Sequence, residues 1–393
     1  MRRVTAIAAL ATALALAAAP AAGAAKPRVP SGFVGMVADG PLLDPAKVQL
    51  EPELDAMVGQ GVQSLRVLFD WAQAQPYASE ANVPLTERQR FTHDEGGVPT
   101  DYTLTDRVVA AAAQRHMSVL PVILIAPPWD ARHPKDDAAP PKHNSAYANF
   151  VTALAKRYGP GGAFWTERPE LPVQPIRQWQ FWNEPSLTYF WDDRPWQKPY
   201  VALLRAARNA VKAVDPGSTV VLAGLPNKSW PDLESIYKVG GARKLFDAVA
   251  LHPFTGRSNG VITILDKARE VMRRYGDNKK PLMVTELSWT TALHKTEWTY
   301  GNETTEAGQA KRLSAAMELL AKNRKRLHLL RVYWYTWLTM DKDPNYPFDY
   351  AGLSRLESDG TIVRKPGYEA LRRTALGLEG CKSKSGVADR CAS

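Results

Sequence analysis

The stretch Trp179-Gln180-Phe181-Trp182-Asn183-Glu184-Pro185 decides how the rest of the chain is read. Its lead-in, Ile176 to Trp182, is rich in aromatics and carries one charge, Arg177, as a buried strand would. An amide and a carboxylate then stand side by side, and Pro185 ends any hydrogen-bonded ladder. Such a pair is costly to bury at the end of an apolar strand unless it has a partner or a task. Taken alone, it could be a polar strand cap. The partner is supplied by a second apolar run, Pro281-Leu282-Met283-Val284-Thr285-Glu286, which also ends on a carboxylate.

Working outward, six further apolar runs read as strands: Phe33–Ala38, Ser64–Phe69, Val119–Ile125, Thr219–Ala223, Asp247–Leu251 and Leu330–Tyr335. Helical patterns separate them, among them Val261 to Tyr275, with Ile264, Leu265, Ala268 and Met272 on one face, and Thr305 to Lys322. Ser145 is a candidate cap for the helix ending at Tyr158. Near-continuous apolar strands alternating with helices predict a parallel sheet covered by helices. Eight such units in 393 residues predict a single (β/α)8 barrel with long loops on its C-terminal face. An open doubly wound sheet would need a glycine-rich phosphate loop after the first strand, and Ala38-Asp39-Gly40-Pro41 is not one.

In such a barrel the C-terminal strand ends form the active face. Asp39, Trp129, Asn183, Glu184, His252, Glu286 and Trp337 all fall at or just past strand ends, and Arg66, inside the second strand, has to point into the barrel mouth. The loops carry Trp129, Trp191, Trp196, Trp289, Trp298, Tyr300 and Tyr346. Aromatics in loops on that face suit the flat C–H faces of sugar rings.

Residues 1–25 read as a signal peptide: Arg2-Arg3, an apolar run from Ala6 to Ala19, and Ala22-Gly23-Ala24 as a small-residue cleavage site. The mature protein is therefore expected to be secreted, with residues 26–380 as the catalytic barrel and 381–393 as a C-terminal tail. No later run is long enough to insert in a membrane. The formal charge of +10 falls by two when Arg2 and Arg3 leave, so the chain stays basic. Excess positive charge favours anionic partners such as acidic polysaccharide, envelope or nucleic acid. The Lys and Arg residues are scattered, however, and their densest cluster, Lys322 to Arg326, ends a helix where cations suit the dipole, so no nucleic-acid partner is expected. The cysteines, Cys381 and Cys391, close a short polar loop and predict a disulfide in an exported chain. The seven histidines do not cluster at ligand spacing, and neither a metal nor a cofactor is expected. A serine nucleophile has no Gly-x-Ser-x-Gly elbow to sit on.

Trp182-Asn183-Glu184-Pro185 on the fourth strand and Thr285-Glu286 on the seventh, with Arg66 and His252, resemble the clan A glycoside hydrolases, closest in pattern to families 39 and 5. The resemblance covers nearly the whole mature chain. It implies a retaining (β/α)8 glycosidase with a carbohydrate substrate, Glu184 as acid/base and Glu286 as nucleophile. Retaining hydrolysis needs two carboxyls about 5–5.5 Å apart, one protonated and one ionised. Phe181 and Trp182 should desolvate Glu184 and raise its pKa, while Arg66 could hold Glu286 charged. Asn183 could bond the sugar 2-OH, and His252 could orient a carboxylate or bind sugar. Trp337 or Trp334 would floor the subsite of the cleaved sugar, with Trp129, Trp289, Asp39 and Asp70 as further contacts. Two departures stand out against family 5: Ala126-Pro127-Pro128 where a histidine usually follows the third strand, and Phe254 where a tyrosine usually follows the strand-six histidine. A non-catalytic carbohydrate-binding barrel and a transglycosylase are the alternatives. The glycan, endo or exo action and oligomeric state are not readable.

Overall fold

The computed structural model describes residues 26–134 and 139–392; the signal-peptide reading lies outside the described residues. Eight parallel staves follow in chain order: β1 Val34–Ala38, β2 Ser64–Asp70, β3 Ser118–Leu124, β4 Gln178–Phe181, β5 Thr219–Val221 with its continuation Leu225–Pro226, β6 Val249–His252, β7 Leu282–Val284 and β8 Leu329–Trp334. Each pairs with its sequence neighbours, and β1 pairs with β8 through Val34 and Val332. The two segments of β5 lie on one stave: β4 pairs with the first, β6 with the second, and Val221 bridges to Ala248. The sheet thus closes on itself.

Eight major helices follow the staves: α1 Leu50–Gly59, α2 Thr103–Gln114, α3 Asn144–Tyr158, α4 Gln197–Val214, α5 Ser229–Tyr237, α6 Ser258–Arg274, α7 Glu306–Leu327 and α8 Pro366–Glu379. Their apolar stripes, such as Val261, Leu265, Ala268 and Met272 on α6, bury against the outer face of the strands. Ser145 lies inside α3 and caps nothing. The residue before that helix, His143, instead donates its backbone N–H to Asp130 Oδ2. The helix α7 runs past Lys322 to Leu327, and Arg324 to Arg326 complement the negative end of its dipole.

Staves pack on both faces. Outward side chains join the helices in one large core. Inward ones form a separate plug of Val37, Leu120, Val221, Ala248, Ala250, Met283 and Tyr333 inside the barrel. Tyr333 fits there because β1 offers Gly35: a Cβ at that position would lie 2.4 Å from the Tyr333 ring.

Two features lie outside the eight strand–helix units, the second carrying the disulfide that the sequence predicts. The loop after β8 builds a small sheet from Leu338–Thr339, Ser354–Leu356 and Ile362–Arg364, closed across its ends by the buried Lys365–Asp341 pair at 2.6 Å, and Lys365 Nζ also donates to Thr291 Oγ1 at 3.2 Å. The tail carries the Cys381–Cys391 disulfide and packs beneath the barrel, where Ala388 is fully buried and accepts from Gln63 Nε2 at 3.1 Å.

Candidate active site

The end of β4 leaves regular strand geometry at once. Trp182 and Glu184 both take left-handed backbone conformations, at φ 69° and 39°. That region is unfavourable for residues with a Cβ and is kept where the surroundings over-determine it. Here Glu184 donates its backbone N–H to the Gly224 carbonyl at 3.0 Å, while the Trp182 indole donates to the Phe190 carbonyl at 2.7 Å. These contacts turn the Glu184 side chain over the barrel mouth.

Arg66 organises the floor. It points inward from β2, is 4% exposed, and uses each guanidinium nitrogen: Nε to Gln180 Oε1 at 2.8 Å, Nη1 to Glu286 Oε1 at 2.7 Å and Nη2 to Asn183 Oδ1 at 2.9 Å. Gln180, one residue before Phe181, was not singled out in the sequence. It faces the lumen and is itself held by donating to the Leu222 carbonyl.

His252 stands between the two carboxyls and is fully buried. Its Nδ1 lies 2.7 Å from Glu184 Oε1 and its Nε2 3.6 Å from Glu286 Oε1. The ring packs against Gly224, where an added Cβ would come within 2.0 Å of Nε2. Burial pushes the imidazole down to about 3, against the pull of Glu286, so the ring is neutral at ordinary pH. Burial raises Glu184 to about 8, opposed by Arg66 and reinforced by Asp232. Glu286 is also raised by burial, but His252 and the directly bonded Arg66 both pull it back. A proton is therefore held at Glu184, and the negative charge is favoured at Glu286. A neutral ring with its hydrogen on Nε2 fits this assignment, accepting from the Glu184 carboxyl and facing the Glu286 carboxylate.

Oxygens of Glu184 and Glu286 lie within 4.8 Å of one another, with a His252 nitrogen equally close. Three such ligands could also cage a cation. The Arg66 guanidinium on Glu286 Oε1 would oppose one there.

The tryptophans differ from expectation. Trp334 and Trp289 are fully buried, pack on each other with centroids 6.1 Å apart, and belong to the outer core. Trp337 is likewise buried, donates Nε1 to Glu53 Oε2 at 2.6 Å on α1, and lies against Tyr368 of α8. With no accessible surface, none of the three can stack on a sugar, which corrects the expectation placed on Trp334, Trp337 and Trp289. The lumen side of β8 is Tyr333 and Tyr335 instead. Tyr335 sits half-buried above the inner plug, where Asp39 and Glu286 both act on its hydroxyl.

Tyr335 contacts Phe348 at 5.6 Å, and Phe348 gathers Phe254, Tyr300 and Tyr346 around it at 4.9, 5.1 and 6.0 Å. Trp298 extends this wall by contacting Tyr300 at 4.8 Å. Tyr300, Tyr346 and Trp298 are exposed, as stacking surfaces must be, whereas Trp191 and Trp196 are buried. Asp39 is half-buried at the end of β1 and accepts from Thr336 Oγ1. Trp129 is half-buried, donating to the Gln75 carbonyl and packing edge-on to Trp71. Asp70 accepts from the Gln73 backbone N–H and so caps the short helix Trp71–Ala74.

No family model matches the chain, and no curated protein matches it in sequence. Solved structures do match in fold. A family 39 glycoside hydrolase from Bacteroides cellulosilyticus WH2 superposes with a TM-score of 0.60 at 17% identity, over 90% of this chain and 64% of that one. The chain thus spans under two thirds of that protein. A monomeric β-xylosidase from Caulobacter crescentus CB15 gives 0.60 at 17%, covering 89% and 69%. An α-L-arabinofuranosidase from Thermotoga maritima gives 0.57 at 13%, covering 89% and 71%. At these identities the likeness is one of fold: the chain shares the (β/α)8 barrel of these glycoside hydrolases.

Proposed function

We propose that this chain is a retaining glycoside hydrolase. The observation that carries the reading is the Glu184–Glu286 pair at opposite staves, oxygens within 4.8 Å, with the proton favoured on Glu184 and the charge on Glu286. That spacing suits a covalent mechanism and leaves no room for the water that inverting enzymes place between carboxyls about 6.5–9.5 Å apart. Glu286 Oε2, the oxygen not bonded to Arg66, attacks the anomeric carbon while the Glu184 proton passes to the departing glycosidic oxygen. Glu184, now ionised, takes a proton from water. The resulting hydroxide displaces Glu286 from the same carbon, giving net retention and restoring both groups. Asn183, steered by Arg66, is the donor available to a sugar hydroxyl beside the attacked carbon. The names of the structural neighbours, β-xylosidase among them, support a carbohydrate substrate.

The test is product release from polysaccharides and aryl glycosides, comparing wild type with Glu286→Gln and Glu184→Ala. Glu286→Gln should lose turnover and form no covalent glycosyl-enzyme by mass spectrometry. Glu184→Ala should be partly rescued by azide on substrates with good leaving groups. Wild-type turnover in Glu286→Gln would sink the reading. Export through residues 1–25 is part of the proposal. Among the described residues, no helix is long and apolar enough to cross a membrane.

A further inference from the structure

Arg66 reaches Glu286 from a layer of the barrel that is otherwise apolar. In register with it on the flanking staves are Val37 of β1 and Leu120 of β3, both part of the inner plug, and neither side chain offers an acceptor. A guanidinium rising through that layer needs one for its Nε–H, since a buried donor left unpaired is costly. Gln180 on β4, fully buried, supplies it: Oε1 lies 2.8 Å from Arg66 Nε.

The other end of the amide is fixed as well. Its Nε2 donates to the Leu222 carbonyl at 3.0 Å, just where β5 breaks off after Val221. The two bonds orient the amide, with its oxygen toward the guanidinium and its nitrogen toward the carbonyl. An ionised glutamate there would set oxygen against oxygen at Leu222 and divide the Arg66 charge with Glu286. The amide holds the guanidinium and leaves its charge undivided.

The guanidinium is planar, and each nitrogen has its own partner: Nε has Gln180, Nη1 has Glu286 and Nη2 has Asn183. Turning the plane about its stem moves all three. The Gln180 bond therefore sets where Nη1 and Nη2 stand, and through them the nucleophile and the amide offered to a sugar hydroxyl.

We infer, resting on the glycosidase reading, that Gln180 is a positioning residue of the reaction: by fixing the plane of the Arg66 guanidinium it aims Glu286 and Asn183 at one sugar. Among the described residues, the titratable groups acting with Arg66 and Glu286 are Asp39 from β1, Glu184 from β4, His252 from β6, Tyr335 from the end of β8 and Tyr346 from the loop beyond. Gln180 adds no charge to this set, so exchanging it for an apolar residue changes ionisation here through geometry alone.

The test is Gln180→Met, with Gln180→Leu as the second exchange should the first not fold by circular dichroism, each made alone and on an Arg66→Met background. On an aryl glycoside, Gln180→Met should lower kcat about tenfold or more, since small misplacements at a reacting centre are costly. The preference for that glycoside over its 2-deoxy analogue should shrink, because Asn183 loses its aim. The acidic limb of kcat/KM should move upward, because the Arg66 bond to Glu286 loosens. On the Arg66→Met background the same exchange should cost almost nothing more. Losses that add in full, or a fall in kcat with the 2-deoxy preference and the acidic limb both unchanged, overturn the proposal and leave Gln180 a packing residue. Titration of carbon-13-labelled Glu286 by NMR, its signal identified by its absence in Glu286→Gln, needs no substrate. If wild type turns over no glycoside, the hydrolase reading fails by itself. The fixing of Arg66 by Gln180 then stands if Gln180→Met raises the Glu286 midpoint beside Arg66 but not on the Arg66→Met background, and falls if the midpoint stays in place.

Discussion

Arg66→Met is the perturbation that asks most of this site. The methionine keeps much of the aliphatic stem and removes the guanidinium that holds Glu286 Oε1 at 2.7 Å in a setting 5% exposed. With charge centres roughly 4 Å apart and an effective dielectric near 20, the lost attraction is about 4 kcal/mol. At about 1.36 kcal/mol per pKa unit, that is roughly two to three units. The sign follows from which form the cation favours. Arg66 stabilises the ionised carboxylate, so removing it raises the Glu286 pKa further. In the profile of kcat/KM against pH, the acidic limb reports ionisation of the nucleophile and the basic limb loss of the acid proton. The basic limb stays near the Glu184 value of about 8 or moves upward, because Arg66 also lowers Glu184. The acidic limb should climb by about two units toward it. The bell should therefore narrow and its maximum fall, while the loss is least near pH 8. Steady-state rates on an aryl glycoside across pH 4–10 measure this. An acidic limb that stays in place, with activity reduced by the same factor at every pH, would show that Arg66 positions Glu286 without setting its charge.

Gly224→Ala should cut kcat by about two orders of magnitude with the fold retained, because its Cβ would lie 2.0 Å from His252 Nε2 and force the ring off Glu184. Wild-type kcat with an intact circular dichroism spectrum would refute the positioning role of that contact. Trp337→Ala should destabilise by about 3–5 kcal/mol, from the cavity left at a fully buried site, with Glu53 still held by Arg364, and leave KM of the folded enzyme unchanged. Tyr335→Ala should do the opposite, raising KM with a smaller stability loss. Swapped outcomes would mean that the facing of β8 is misassigned.

Much of the site was legible along the chain because its parts sit at strand ends. Asn183 and Glu184 close one apolar run and Glu286 another, and Arg66 is a lone charge in a third. A buried charge in an apolar stretch must find a partner, and the carboxylates were the available ones. What failed was the facing of β8. Past Arg331, its sequence Val332-Tyr333-Trp334-Tyr335 is apolar or aromatic on both sides, so alternation gives little direction there. Trp334 and Trp337 stand as alternatives along the chain and Tyr335 as neither, until the pairing with β1 turns Tyr333 and Tyr335 inward. Gln180 was passed over because a single amide within an aromatic strand resembles a tolerated polar residue. Phe348 lies in a loop whose course depends on the small sheet behind it.

By itself, then, the sequence determined the alternation of eight strands and eight helices, the closed barrel, and the placing of two carboxylates at its active end. Those follow from local period and apolar content, which each segment carries within itself. Tertiary structure alone decided which carboxyl keeps a proton and which aromatics reach the mouth. Each of those sums contributions from several staves at once: burial around Glu184, the Arg66 bond across from β2, and Gly224 making room for His252. Desolvation and Coulomb energy depend on distances in space, and residues far apart in the chain acquire those distances only when the barrel closes.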